Sequence, residues 1–127
     1  MTNPFNDQAK FMWACEQTTT GFNEDQYRMY LNLIVEECKE LSEALEQNDK
    51  KEMLDALTDI LVVTIGAIHS AGFDAEGAWN EVMRTNFAKI DSETGKVRKR
   101  EDGKVLKPEG WQPPDLSQYL EKEWIKE

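Results

Sequence analysis

Leu33-Ile34-Val35-Glu36-Glu37-Cys38-Lys39-Glu40-Leu41 and, beyond a short polar break, Asp55-Ala56-Leu57-Thr58-Asp59-Ile60-Leu61-Val62-Val63-Thr64-Ile65 decide how this chain is read. Each is apolar at helical spacing, and each carries acids where the apolar face should run. Glu37 follows Leu33 by four residues and precedes Leu41 by four, so it shares their face. Asp59 lies one turn after Asp55, with Val62 and Val63 one turn further on. A carboxylate inside such a run is costly unless it is paired, hydrogen-bonded or bound to a metal. Two helices that meet across a bundle with carboxylates at i, i+3 or i, i+4 spacing can hold divalent cations, which points to chemistry on phosphates.

Working outward, Tyr30, Ile34, Leu41 and Leu45, with Leu33 and Cys38 beside them, predict a helix from about Glu24 to Gln47. Asn23 followed by Gln26 reads as a capping box at its start, and Asn48-Asp49 ends it. Asp49-Lys50-Lys51-Glu52 is a second capping box, opening a helix that is apolar nearly all round from Leu54 to Ile68 and is expected to be the most buried element. Gly72 stops it, and Asp74 caps a fourth helix through Trp79, Val82 and Met83 to about Ile90. Upstream, Phe5, Ala9, Met12 and Trp13 predict a first helix between Pro4 and Glu16, broken by Thr18-Thr19-Thr20-Gly21. Trp13 and Phe5 read as core packing ahead of base stacking. From Ser92 the pattern changes. Lys96 to Lys107 alternates loosely about Asp102-Gly103, a two-residue hairpin turn. Pro108, Pro113 and Pro114 extend the chain, and Asp115 caps a short last helix with Leu116, Tyr119, Leu120 and Trp124. The expectation is all-α: a four-helix-bundle-like domain spanning residues 1–127, with a helical core over about 5–91 and a hairpin-bearing arm over about 92–127 that docks on a neighbouring subunit.

Composition narrows the function. Hydrophobic residues at 39% and charged residues at 31% suit a soluble globular domain, and a net charge of −10 argues against nucleic-acid or anionic-membrane partners. The charge is uneven. Lys96, Arg98, Lys99, Arg100, Lys104 and Lys107 face only Glu101 and Asp102, a local +4 that leaves −14 for the rest. An acidic metal site and a basic segment in one small domain suit a phosphorylated ligand. Cys15 and Cys38 have no metal-ligand spacing and read as buried free thiols. The N-terminus lacks the basic start and apolar core of a signal peptide, and the apolar run Ile60–Ile68 is too short to span a bilayer, so a cytoplasmic location is expected.

The ordinary explanation of acids on a helix is a solvated face. It serves Glu36 no better than a functional role does, and it serves Glu37 with Glu40 poorly. It serves worst for Asp59, since Asp disfavours helix interiors and Asp55 and Asp59 would repel one another without a cation. Capping is explanation enough for Glu52. Oxygen-only ligands favour Mg²⁺ or Mn²⁺ over zinc or copper. The single histidine, His69, cannot supply the paired Glu-x-x-His of a di-iron bundle and reads as a polar helix-end residue. There is no Gly-rich phosphate loop.

These clusters resemble the MazG superfamily of all-α nucleotide pyrophosphohydrolases, which includes dimeric dUTPases and phosphoribosyl-ATP pyrophosphohydrolases. The superfamily pattern is Glu-Glu-x-x-Glu, then Glu-x-x-Asp. Glu36-Glu37-Cys38-Lys39-Glu40 matches the first half. For the second, taking Asp59 as the final acid leaves Ala56 where Glu is expected and Asp55 one step earlier, while Glu52-Met53-Leu54-Asp55 keeps the spacing. The apolar run after it favours Asp59, and the Asp-x-x-x-Asp form looks like a small single-domain subgroup with phage-encoded and phosphoribosyl-ATP pyrophosphohydrolase-like members. Glu81 to Lys89, Glu101 to Pro108 and Pro113-Pro114-Asp115-Leu116 extend the likeness from about Leu33 to Leu116.

The resemblance implies that a nucleoside triphosphate, preferably a deoxynucleotide, is hydrolysed to the monophosphate and pyrophosphate. Glu37, Glu40, Asp55 and Asp59 are implied as Mg²⁺ or Mn²⁺ ligands, and Glu36 or Glu37 as the acid that takes a proton from the attacking water. Asn86 and Lys89 are implied substrate contacts, and Lys104 and Lys107 are expected to neutralise phosphate charge. The family forms dimers and tetramers, so a homodimer or homotetramer is expected. Phosphoribosyl-ATP is the rival substrate, and a non-catalytic helical interaction protein is the rival of another class.

Overall fold

A computed structural model describes residues 3–124. Among the described residues there are four α-helices and no β-strand: α1 (Pro4–Ala14), α2 (Glu24–Glu46), α3 (Lys50–Ser70) and α4 (Ala75–Phe87), followed by a single 3₁₀ turn, Ser117–Tyr119. The all-α expectation and the order of the helices are borne out. By its contacts the chain divides into two compact units, residues 1–75 with 120–127, and residues 76–119.

The helix boundaries follow from local chemistry. Asn3, Asn23 and Asp49 each cap a helix, accepting the backbone N–H of the residue three positions on. Both capping boxes, however, are half-made. The Asn23 N–H already donates to the Ser70 carbonyl and that of Asp49 to the Ala44 carbonyl, so neither awaits a side chain from Gln26 or Glu52. Gln26 turns instead to Thr18, bonding its N–H and its carbonyl, and to the Ser70 hydroxyl. Helices α1, α2 and α3 all end in paired 6→1 and 5→2 bonds around a left-handed residue: Glu16 (φ 60°), Asn48 (φ 51°) and Gly72 (φ 76°). Gly72 alone could not be otherwise, because a Cβ there would stand 2.8 Å from the Gly21 backbone.

In the first unit α2 and α3 form an antiparallel hairpin through Gln47–Asp49, with α1 packed on α3. Tyr30, Ile34, Glu37, Leu41 and Ala44 form the inner stripe of α2; Ala56, Asp59, Val63, Gly66 and Ser70 form that of α3. Close approach depends on Gly66, whose missing side chain makes room for the Tyr30 ring. Met12 of α1 joins Tyr30 and Ala67 at the centre of the core, flanked by Tyr27, Leu33, Ile34 and Val63.

Three sequence expectations are corrected and one is narrowed. Helix α3 does hold more buried residues than any other helix, but it is not buried all round: Leu54 (66%), Leu57 and Leu61 (64%) are exposed. Two apolar stripes on one helix look like all-round burial in sequence, yet only one is covered. In an antiparallel pair the positions following each inner stripe fall on one side, so Leu57 shares a face with exposed Leu31, Val35 and Leu45 of α2, while Leu54 and Leu61 lie on the side of α3 away from α2. Cys15 and Cys38 are exposed, the first at the end of α1 and the second on this outer side of α2. The turn is not a two-residue one: Gly103 N–H donates to Arg100 O and Arg100 N–H to Lys104 O around a three-residue loop. A two-residue type I′ turn would need positive φ at Asp102 as well as at Gly103, and only Gly103 has it. The loop carries isolated bridges, Ile90 with Val97 and Lys99 with Val105. Finally, the capped last helix shrinks to the 3₁₀ turn. Asp115 does accept from the Ser117 N–H, but Trp124 lies beyond the turn and packs on its own chain, edge-on to Trp13 (5.5 Å) and His69 (5.1 Å).

With 21 residues and an 18-residue stretch of mean hydropathy 1.4, α3 is long and apolar enough to cross a membrane, further than the run Ile60–Ile68 suggested. Its inner stripe packs on α2, and Asp55 and Asp59 would each be costly in a bilayer.

Candidate active site

The hairpin's register brings the acids together. With Tyr30 opposite Gly66, two turns onward on α2 and two turns back on α3 set Glu37 opposite Asp59. Both are half-buried within otherwise apolar stripes, whereas Glu36, Glu40 and Asp55 are exposed on adjoining positions. One carboxylate oxygen of Glu37, Oε2, is buried without a hydrogen-bond partner. Its desolvation, a hydrogen bond with Glu40 that only the protonated acid can make, and the negative charges of Glu40, Asp59 and Asp55 push Glu37 up to about 7. Three of the acids singled out in sequence, Glu40, Asp59 and Asp55, therefore act on Glu37.

An orphaned, desolvated carboxylate among three others is the electrostatic complement of a divalent cation, and an all-oxygen donor set fits Mg²⁺ or Mn²⁺. Among the described residues, no three Asp, Glu, His or Cys side chains stand close enough to hold an ion as they are. The fit is thus one of chemistry and placement.

The other sequence-selected residues lie in the second unit, residues 76–119. Lys89 Nζ donates to Asn86 Oδ1 at 3.0 Å and sits 5.1 Å from the Trp111 ring centroid; Lys107 Nζ sits 4.8 Å from the same centroid. Each such contact contributes on the order of 0.5–1 kcal/mol at an exposed site. Asn86, Lys89 and Lys107 are therefore brought together. Lys104 is not: it stays on the exposed turn, its backbone N–H donating to Asp102. The Trp111 indole N–H donates to the Thr85 carbonyl (2.7 Å), and the Asp115 N–H donates to Glu81 (2.8 Å), one turn earlier on α4. With Arg84 also bonded to it, Glu81 is held down at about 2.

The sequence profile of the phosphoribosyl-ATP pyrophosphohydrolase family matches residues 3–86, more than half of the chain, including both acidic stretches. The chain belongs to the phosphoribosyl-ATP pyrophosphohydrolase family. As a member of that family it is a nucleotide pyrophosphohydrolase. No curated protein matches it. The matched span ends at Asn86, so Lys89, Lys107 and Trp111 lie outside what the family profile covers.

Two features escaped the sequence reading. His69 is no solvated helix end: it is 1% exposed, bonded through Nε2 to the Phe5 carbonyl at 2.9 Å, with Nδ1 buried and unpartnered. Burial lowers its pKa, as does Lys122, against the opposing pull of the Phe5 bond. Its spacing of four from Ile65 was the available signal. The other is Trp111, since nothing in its spacing reveals that two lysines 18 residues apart converge on it.

Proposed function

We propose that this pyrophosphohydrolase acts on nucleoside triphosphates, preferably deoxynucleotides, releasing the monophosphate and pyrophosphate with the help of Mg²⁺ or Mn²⁺. The observation that carries the reading is Glu37: a buried, unpartnered carboxylate oxygen, coupled to Glu40, Asp59 and Asp55 and raised to about 7. Glu37, Glu40 and Asp59, with Asp55 next, would hold the cation, drawing together as they do so. Bound there, it would offset phosphate charge and polarise the phosphoryl oxygens.

The chain's own residues supply the rest. Glu37, or Glu36 beside it on the exposed edge, takes a proton from the water that attacks the α-phosphorus. Desolvation near neutral pH suits Glu37 to that role, while Glu36 has the freer access to solvent. Asn86 and Lys89 contact the substrate, with Lys107 neutralising its phosphates and Lys104, outside the Trp111 cluster, adding only a weak, solvent-screened share of that charge. A second reading, phosphoribosyl-ATP as the substrate, is favoured by the family whose profile matches.

The working form is a homodimer or homotetramer in the cytoplasm, with neither nucleic acid nor membrane as partner. Exposed Leu31, Val35 and Leu45 of α2, with Leu57 of α3, supply a face that a second copy would cover.

The test is hydrolysis of a panel of dNTPs, NTPs and phosphoribosyl-ATP with Mg²⁺ or Mn²⁺, resolving pyrophosphate from orthophosphate, with Asp59→Asn alongside. Pyrophosphate release from dNTPs, lost in the variant, is expected. Release from phosphoribosyl-ATP alone would establish the second reading, and orthophosphate in place of pyrophosphate would refute both.

A further inference from the structure

The second unit holds eight Lys and Arg against eight Asp and Glu, so its cations have acids to pair with. Lys89 and Lys107 nevertheless do not pair with them. Among the described residues neither has a carboxylate within ion-pair distance; Lys89 is held by the neutral Asn86 and both are gathered on one indole. Their two distances to the ring centroid, 5.1 and 4.8 Å, cap the separation of the ammonium groups at 9.9 Å. Like charges gathered this way repel until an anion lies between them.

What gathers them is the way the arm is laid on α4. The stretch Trp111-Gln112-Pro113-Pro114-Asp115 is pinned at both ends, the indole N–H to Thr85 O and the Asp115 N–H to Glu81. Those anchors are one turn apart on α4, and the prolines between them stiffen the strap. Thr85 itself is 2% exposed, so the indole is fastened to a fixed point. The ring is thereby held where it meets both Lys89, two residues beyond α4, and Lys107, just past the hairpin.

We infer that Trp111 is a positioning residue that joins Lys89 and Lys107 into one fork for a diphosphate group, the part of the nucleotide that leaves as pyrophosphate. This rests on the proposed reaction for the identity of the ligand, though not for the existence of the fork. Two ammonium groups up to 9.9 Å apart suit an anion with charge on two phosphorus centres better than a single phosphate. Placing the indole beside both groups also makes it a reporter, because an anion drawing the lysines off the ring changes its emission.

The experiment is titration of the full chain with inorganic pyrophosphate, and with orthophosphate for comparison, in chelator. It would be followed by calorimetry and tryptophan emission, on the wild type and on Lys89→Met, Lys107→Met, the double variant, Trp111→Ala and Trp111→Phe. Trp111→Phe keeps a ring but loses the bond to Thr85, so it serves where Trp111→Ala folds poorly. The expected result is pyrophosphate bound at least tenfold more tightly than orthophosphate. Each lysine variant should weaken it about tenfold, the double variant little more than either, and Trp111→Phe severalfold. In hydrolysis assays Trp111→Phe should raise KM and leave kcat unchanged, a split that loss of fold would not produce. Pyrophosphate binding that is absent, or indifferent to Trp111→Phe, overturns the fork even if nucleotides are hydrolysed. Binding with these losses upholds it even if none is hydrolysed, in which case the proposed reaction falls instead.

Discussion

The two units solve opposite electrostatic problems. The first carries the whole net charge of −10, seventeen acids against seven bases, and sets two of the acids inside a packed helix hairpin. The second is neutral, has one helix, and relies on turns, prolines and side-chain bonds to draw two cations onto an indole. In the first, regular secondary structure imposes like-charge proximity through register; in the second, an irregular strap does so through anchors. Helices place residues by counting, and loops by specific bonds. A change in the first unit should therefore act on the chemistry or on the whole fold, and one in the second should stay local.

The largest expected break in that comparison is Glu37→Gln, which should lower kcat by about 10²–10⁴-fold in a steady-state assay. In chelator the same variant should be the more stable protein above pH 7. A carboxyl whose folded pKa is raised from 4.5 to about 7 binds protons better folded than unfolded, so wild-type stability falls as pH rises through that interval. Denaturant melts at pH 5 and pH 8 decide the point, and a variant less stable at both would remove the electrostatic account of Glu37.

Next comes Gly66→Ala, whose new methyl would run into the Tyr30 ring. That ring is buried and its hydroxyl donates to Gln17, so it has little freedom to retreat. A loss of about 1–3 kcal/mol is expected in urea unfolding. An unchanged midpoint would mean that the hairpin tolerates a wider spacing, and with it a looser acidic pair.

A smaller, pH-dependent effect comes from His69. Its folded pKa is lowered by burial, so the unfolded chain takes up the proton first. Its contribution to stability is complete above about pH 6.5 and declines as pH falls below that value. The decline should vanish in His69→Gln, as thermal melts from pH 7.5 to 5 would reveal. Smallest of all is Lys104→Met. With its side chain outside the Trp111 cluster, it should change kcat/KM by no more than about twofold, or ~0.5 kcal/mol. A large loss would draw the hairpin turn into the site.

Much of the first unit was legible because its signals are local. Asn23, Asp49 and Gly72 mark helix ends through bonds to residues three to five positions away. Glu37 and Asp59 stood out because an acid interrupts a stripe of fixed period. Burial was harder to read. Leu54, Leu57 and Leu61 look like core in sequence, and whether a neighbour covers them depends on tertiary packing. His69 was misjudged for the same reason, since its partners Phe5 and Trp124 lie 64 and 55 residues away. In the second unit only the presence of a turn at Gly103 and the identity of the lysines could be read. Their convergence rests on the Trp111–Thr85 bond across 26 residues, which leaves no periodic trace.

The connection Gln47–Asp49 also sets an order of events in time. So short a loop costs little entropy to close, and the contacts it enables are local, so the α2–α3 hairpin collapses ahead of elements that need Trp124 or the strap. Glu37 and Asp59 therefore confront each other at the outset of folding, before later packing can compensate. Protonation relieves that confrontation, and stopped-flow refolding in chelator should run faster at pH 5 than at pH 8. The acids on which the chemistry depends are in this sense an early toll on the folding chain, lightest in acid.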